Sequence, residues 1–67
     1  MIYRRIRDLR EDKDLNQADV ANYLHVSQPT YSRYESGALD IPSTALIALA
    51  KLYGVSVDYL LGLTDKP

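Results

Sequence analysis

Residues 17–37 constrain this chain more than any other stretch. Two runs with helical spacing of apolar residues are parted by only a few residues. Val20, Ala21, Leu24, Val26, Tyr31 and Tyr34 can all face inward, which leaves Gln28, Pro29, Ser32 and Arg33 facing outward. Amphipathic pairs meet such spacing often. They seldom also place a small residue, here Ala21, where two crossing helices come close, and carry cap signals on both helices. Asn16 precedes the first run as an N-cap, and Asp19 three residues on favours the positive helix end. Ser27 caps the second, with its oxygen placed to accept from the Thr30 N–H. Pro29 falls in the first turn, where a missing N–H costs little. Gly37 is free to take the left-handed conformation that ends a helix.

The flanks read as helices too. A first helix is expected from about Ile2 to Lys13, with Ile2, Ile6, Leu9 and Lys13 on one face and Leu15 as a packing plug in the loop after it. Residues 38–42 form a connecting loop. A fourth helix opens near Pro42 and Ser43 and runs to Tyr53, with Gly54 as its stop. Ala45, Leu46, Leu49, Ala50 and Leu52 supply its apolar side. Ser56 caps a short last helix, Val57 to Leu61, ended by Gly62. Tyr31 and Tyr34 fall at core spacing, whereas Tyr3, Tyr23, Tyr53 and Tyr59 are expected at the rim or an interface. No strand is convincing. The expectation is an all-α, compact five-helix domain over residues 1–63, with residues 64–67 as a polar, frayed tail.

Composition bounds the rest. The chain has 67 residues, enough for one domain, and a domain this small buries only about 60% of its unfolded surface. There is no cysteine, so no disulfide or thiolate metal site staples it. That usage fits a reducing cytosol, and a cytoplasmic location is expected. No run approaches the roughly 18 apolar residues of a membrane helix. The N-terminus turns charged at once, without the apolar region of a signal peptide, and Met1 is expected to be a native start. The net charge is −1, which is not the global basic footprint of a nucleic-acid binder. The distribution is uneven: five of the eight basic residues, Arg4, Arg5, Arg7, Arg10 and Lys13, lie in the first thirteen positions. With Asp8, Glu11 and Asp12 beside them, a solvated mixed-charge helix face is an equal reading of Arg4, Arg5 and Arg7.

The ordered set of residues from about Ile6 to Thr64 resembles the Xre/phage-repressor helix-turn-helix family, the lambda-type repressors and their bacterial relatives. The matching features are Leu9-Arg10, then Gln17 with Ala21, then Ser27-Gln28 followed by Tyr31-Ser32-Arg33-Tyr34-Glu35 and Gly37. Pro42-Ser43 with Leu46 and Leu49-Ala50 follows, then Gly54-Val55-Ser56 with Asp58-Tyr59-Leu60-Leu61. The resemblance implies a lambda-repressor-like domain that binds double-stranded DNA at a palindromic operator. Two positions depart from the family pattern. The turn usually holds Gly and here holds His25, expected at positive φ with an exposed ring; a phosphate contact or a pH switch is the functional alternative. The loop after the third helix holds Ala38, Leu39 and Asp40 where relatives often carry Lys or Arg. Fewer charge contacts and a shallower salt dependence follow.

Residue chemistry sorts the candidate contacts. Gln28, at the leading end of the third helix, can pair bidentately with adenine N6 and N7, and Arg33 can reach guanine O6 and N7 or a flanking phosphate. Ser32 lies one turn after Gln28. The Pro29 ring can pack on a thymine methyl or simply start the helix. The plain alternatives are an exposed first-turn Gln28 and a surface ion pair for Arg33. The resemblance assigns Gln17 to a backbone phosphate, and the free N–H groups at that helix end favour an anion. Asn16, Ser27, Ser36, Ser43 and Thr44 are further phosphate candidates, Ser27 as cap first. The resemblance also implies an Arg10–Glu35 ion pair joining the first helix to the end of the third. It puts a dimer surface near Val55, Val57, Asp58 and Tyr59, although Val55, Leu60 and Leu61 can equally close the core.

The leading function is a sequence-specific transcriptional regulator, a repressor, binding as a two-fold dimer that is weak off DNA. The 67 residues leave no room for an effector domain, so control is expected from concentration, a protein partner or proteolysis, unless the chain is a piece of something longer. A second class is a protein-interaction module, antitoxin-like or partner-binding, that keeps the fold with weak or no DNA binding. The acidic balance favours that class, whereas Gln17, Gln28 and Arg33 oppose it. An enzyme is poorly supported, with one His, no nucleophile–base spacing, no metal-ligand cluster and no phosphate loop, and no cofactor is expected.

Overall fold

The computed structural model describes all residues, 1–67, and consists of five helices with no strand. They are α1 (Arg4–Asp12), α2 (Gln17–Leu24), α3 (Gln28–Ser36), α4 (Ser43–Tyr53) and α5 (Val57–Leu60). The core is built where these helices meet. Ile6 from α1, Val20 and Ala21 from α2, Tyr31 and Tyr34 from α3, Leu49, Ala50 and Tyr53 from α4 and Leu60 from α5 form one buried cluster. Burying a side chain of Val, Leu or Ile size contributes about 1.5–3 kcal/mol, so a handful of such residues carries a domain of this length. Tyr31 and Tyr34 meet edge to face, with ring centroids 6.4 Å apart and planes at 84°, the arrangement that aromatic quadrupoles favour. Tyr53, expected at the rim, is buried. It follows Leu49 by four residues and shares its face, so helical period overrides the hydroxyl.

Each turn is fixed by caps. Asn16 Oδ1 accepts from Asp19 N at 2.8 Å, and Asn16 N donates back to Asp19 Oδ2 at 3.0 Å, a reciprocal capping box. Ser27 and Ser56 accept from Thr30 N and Tyr59 N. At the C-terminal ends, left-handed residues reverse the chain. Asp14, His25, Gly54 and Gly62 all have positive φ, and the N–H of the residue after each returns to a carbonyl five residues back. His25 was expected there, and its φ is +59°. Asp14 was not. Gly37 is required on two counts. Its φ is +81°, and a Cβ would lie 2.9 Å from Ile2 Cγ1 and 3.0 Å from the Met1 carbonyl carbon.

Two expectations about the ends are corrected. Ile2 does not belong to α1, which begins after Tyr3; it lies largely exposed and packs against Gly37 instead. The tail is not frayed. Ser56 N donates to Pro67 O, and Arg5 donates to the carbonyls of Tyr59 and Thr64 and to Asp65. A polar segment escapes fraying here because one long side chain satisfies its backbone acceptors.

Candidate nucleic-acid interface

The α2–α3 pair presents one edge of α3 outward. Tyr31 and Tyr34 anchor the helix inward, with Tyr31 fully buried. With one face fixed, Gln28, Pro29 and Arg33 stand exposed and Ser32 is half-buried at the border. Arg33 makes no ion pair, so its charge is free. The turn that sets α2 against α3 is held by the left-handed His25, by Val26 N donating to Ala21 O at 3.0 Å, and by Ala21 itself, whose small side chain is buried between the helices. The His25 ring is exposed and makes no hydrogen bond or ion pair.

Behind this edge lies a partly buried charge cluster. Arg10 and Glu35 pair in a forked geometry: Nε donates to Oε2 at 2.7 Å and Nη2 to Oε1 at 3.2 Å, with the two side chains only 13% and 6% exposed. Arg10 Nη1 also donates to the Leu15 carbonyl at 3.0 Å, tying the pair to the α1–α2 loop. The third donor is Gln17, whose Nε2 reaches Glu35 Oε1 at 3.1 Å. Burial by itself would raise the Glu35 carboxyl. The hydrogen bonds from Arg10 and Gln17 outweigh it and hold the group below the usual carboxylate range. The same pairing raises the Arg10 guanidinium despite burial. The buried Tyr31 hydroxyl faces this carboxylate but outside hydrogen-bonding geometry, and burial pushes its titration far up. Tyr53, likewise buried without a hydrogen-bond partner, is pushed up to about 12.

The other candidates fall as follows. Gln17 spends one amide N–H on Glu35, which leaves its second N–H open. Asn16 is occupied as a cap. Ser27 caps α3 and donates to Thr30 Oγ1 at 2.9 Å. Ser36 donates its proton to Arg33 O and accepts from Ala38 N. Ser43 and Thr44 open α4 behind Pro42, with no side-chain cap, so their amides remain available. The expected dimer residues lie together at α5: Val55 and Val57 pack on the core, Asp58 is exposed, and Tyr59 is half-buried. The Tyr59 ring carries the Arg5 guanidinium 4.1 Å from its centroid, so one of its faces is taken within the chain. Sequence reasoning missed the Gln17–Glu35 bond and the Arg5 contacts. Both join residues far apart in the chain, and only the charge clustering near the N-terminus hinted at the second.

An all-helical domain with an exposed α3 edge on a buried two-helix junction defines the helix-turn-helix class. The helix-turn-helix family model matches residues 6–60, and the chain belongs to that family. It is 40% identical over its full length to the uncharacterised HTH-type transcriptional regulator YobD of Bacillus subtilis, covering 60% of that protein. It is 44% identical over 57 residues, 85% of this chain and 51% of the relative, to the cryptic phage CTXphi transcriptional repressor RstR of Vibrio cholerae. With the HTH-type regulator ImmR of B. subtilis it shares 34% over 59 residues, 88% of this chain and 46% of the relative. The chain thus spans about half to three fifths of the length of these relatives.

Proposed function

We propose that this chain is a sequence-specific double-stranded DNA-binding domain of a transcriptional regulator, a repressor, acting in the cytoplasm. The observation that carries this reading is the exposed Gln28–Arg33 edge of a helix whose opposite face is locked by Tyr31 and Tyr34. A helix so presented fits the major groove, where Gln28 pairs with adenine and Arg33 with guanine or a phosphate. Pro29 and Ser32 complete the reading edge. Gln17, held by Glu35, aims its second N–H at a backbone phosphate. Asn16 keeps its side-chain N–H groups for a phosphate, Ser27 and Ser36 donate to one by turning their hydroxyl protons away from Thr30 and Arg33, and the open amides at Ser43 and Thr44 frame the far side. Val55, Val57, Asp58 and Tyr59 form the two-fold contact, weak in solution and completed on a palindromic operator. The naming of RstR as a transcriptional repressor supports the sign of regulation.

One observation favours a second reading, a protein-interaction module with weak DNA binding. The net charge is −1, and the loop after α3 carries Asp40 and no cation. Selection from a pool of random duplexes with the purified chain separates the two. Enrichment of half-sites centred about 10 base pairs apart is expected. A pool that stays random, together with no retention on a DNA column at low salt, favours the interaction module.

A further inference from the structure

The sequence left Arg7 without a role, yet its side chain borders a notch of about 310 Å³ walled by Arg7, Arg10, Gln17, Ser32, Glu35 and Ser36, with no apolar lining residue. Both Glu35 oxygens are occupied, by Arg10 and Gln17, so the notch's one carboxylate is already neutralised. What remains pointed at the space is donors. Gln17 keeps one amide N–H, and the Ser32 hydroxyl makes no hydrogen bond within the chain. Arg7 spends only Nε, on Glu11 Oε1 at 2.9 Å, and keeps its two terminal nitrogens. Arg4, which makes no ion pair, stands on the same edge of α1 beside an adjoining cavity that Arg7, Asp8, Glu11, Glu35 and Ser36 also border, so the notch, with its single paired carboxylate, is the more favourable seat for an anion.

A cation entering this notch would meet two guanidinium groups; an anion would meet donors on three sides. Gln17 and Ser32 belong both to the notch and to the proposed DNA-facing surface. We propose that the notch seats a DNA backbone phosphate, that Arg7 is its cation, and that Glu11 competes for Arg7 in the free protein. The inference rests on the DNA-binding reading above. The Arg7–Glu11 pair suits a competitor that must let go: the two side chains are 67% and 54% exposed and sit four residues apart, the geometry of a weak, solvent-screened pair. A forked, charge-assisted contact from guanidinium to phosphate is stronger.

The test is the salt dependence of binding to the duplex recovered by selection, for wild type, Arg7→Gln and Lys51→Gln. Losing one phosphate contact lowers the slope of log K against log salt by about 0.9. Arg7→Gln should lower it by that amount, whereas Lys51→Gln, the same charge change on α4, should leave it unaltered. Thermal unfolding of Arg7→Gln should match wild type, which separates lost contact from lost fold. A second readout is a double-mutant cycle. Glu11→Gln should tighten binding several-fold when Arg7 is present and much less in the Arg7→Gln background. An unchanged slope in Arg7→Gln, with wild type binding normally, overturns the notch and leaves the DNA-binding reading standing. An equal gain from Glu11→Gln in both backgrounds overturns the competition. Wild type that binds no duplex at any salt overturns the reading and the notch together.

Discussion

Two arginines of α1, five residues apart, hold the molecule at opposite ends of the helix and in opposite surroundings. Arg10 is 13% exposed, forks onto a Glu35 that is 6% exposed, and fastens α1 to the base of α3. Arg5 is 27% exposed, stacks on Tyr59, and reaches an Asp65 that is 100% exposed. The chemistry is the same and the consequences differ. At Arg10 both charges are largely withdrawn from water though they border the polar notch, so the pair stabilises little relative to apolar residues but is expensive to break. At Arg5 solvent screens the ion pair, and the useful work is stacking plus satisfied carbonyls. The buried pair holds the reading helix in place, and the exposed one closes the chain's ends together.

The largest expected effect lies at the buried pair. Arg10→Ala should cost about 3–5 kcal/mol, since it strands Glu35 without its counter-charge. Chemical denaturation would measure it, and a loss below about 1 kcal/mol would erase the contrast. Replacing both partners, Arg10→Met with Glu35→Leu, should recover most of that loss while weakening DNA binding, because Gln17 loses its anchor. Acid should act on the same site. Glu35 is held below its ordinary value in the folded state, so it stabilises above the normal carboxylate range. That contribution is lost as pH falls below roughly 4.3, through the depressed folded value. An unfolding profile flat from neutrality down to about pH 2 would contradict the pairing. At the exposed site Arg5→Ala should cost about 1 kcal/mol, chiefly through the lost ring contact. Asp65→Asn should leave the thermal midpoint unmoved, and a clear drop would mean that the tail matters more than its exposure implies.

How much of this was legible from residues alone depends on range. Caps are local chemistry, so Asn16, Ser27, Ser56, Gly37 and Gly54 marked their helix ends, and His25 marked a left-handed turn by standing where glycine is usual. The end of α1 near Lys13 was legible, but its start was placed too early at Ile2, and the left-handed Asp14 after it went unread because it looks like any polar loop residue. Tyr53 was placed at the rim, although its spacing to Leu49 marks the buried face it occupies. The outward edge of α3 followed from the inward period of Tyr31 and Tyr34. The Gln17–Glu35 bond and the Arg5 clasp did not follow from anything local, since each needs the fold to bring its partners together.

The buried cluster and the reading edge have separate tasks, and one measurement separates them: the affinities of Gln28→Ala and Gln17→Ala across a set of duplexes carrying every single-base change in the selected half-site. Gln28→Ala should cost about 1–3 kcal/mol on the preferred site and lose its discrimination at one base position. Gln17→Ala should weaken every duplex nearly alike. If Gln28→Ala also shifts all duplexes equally, or shifts none, then α3 does not read base edges through its leading end, and the assignment of specificity to that edge is wrong.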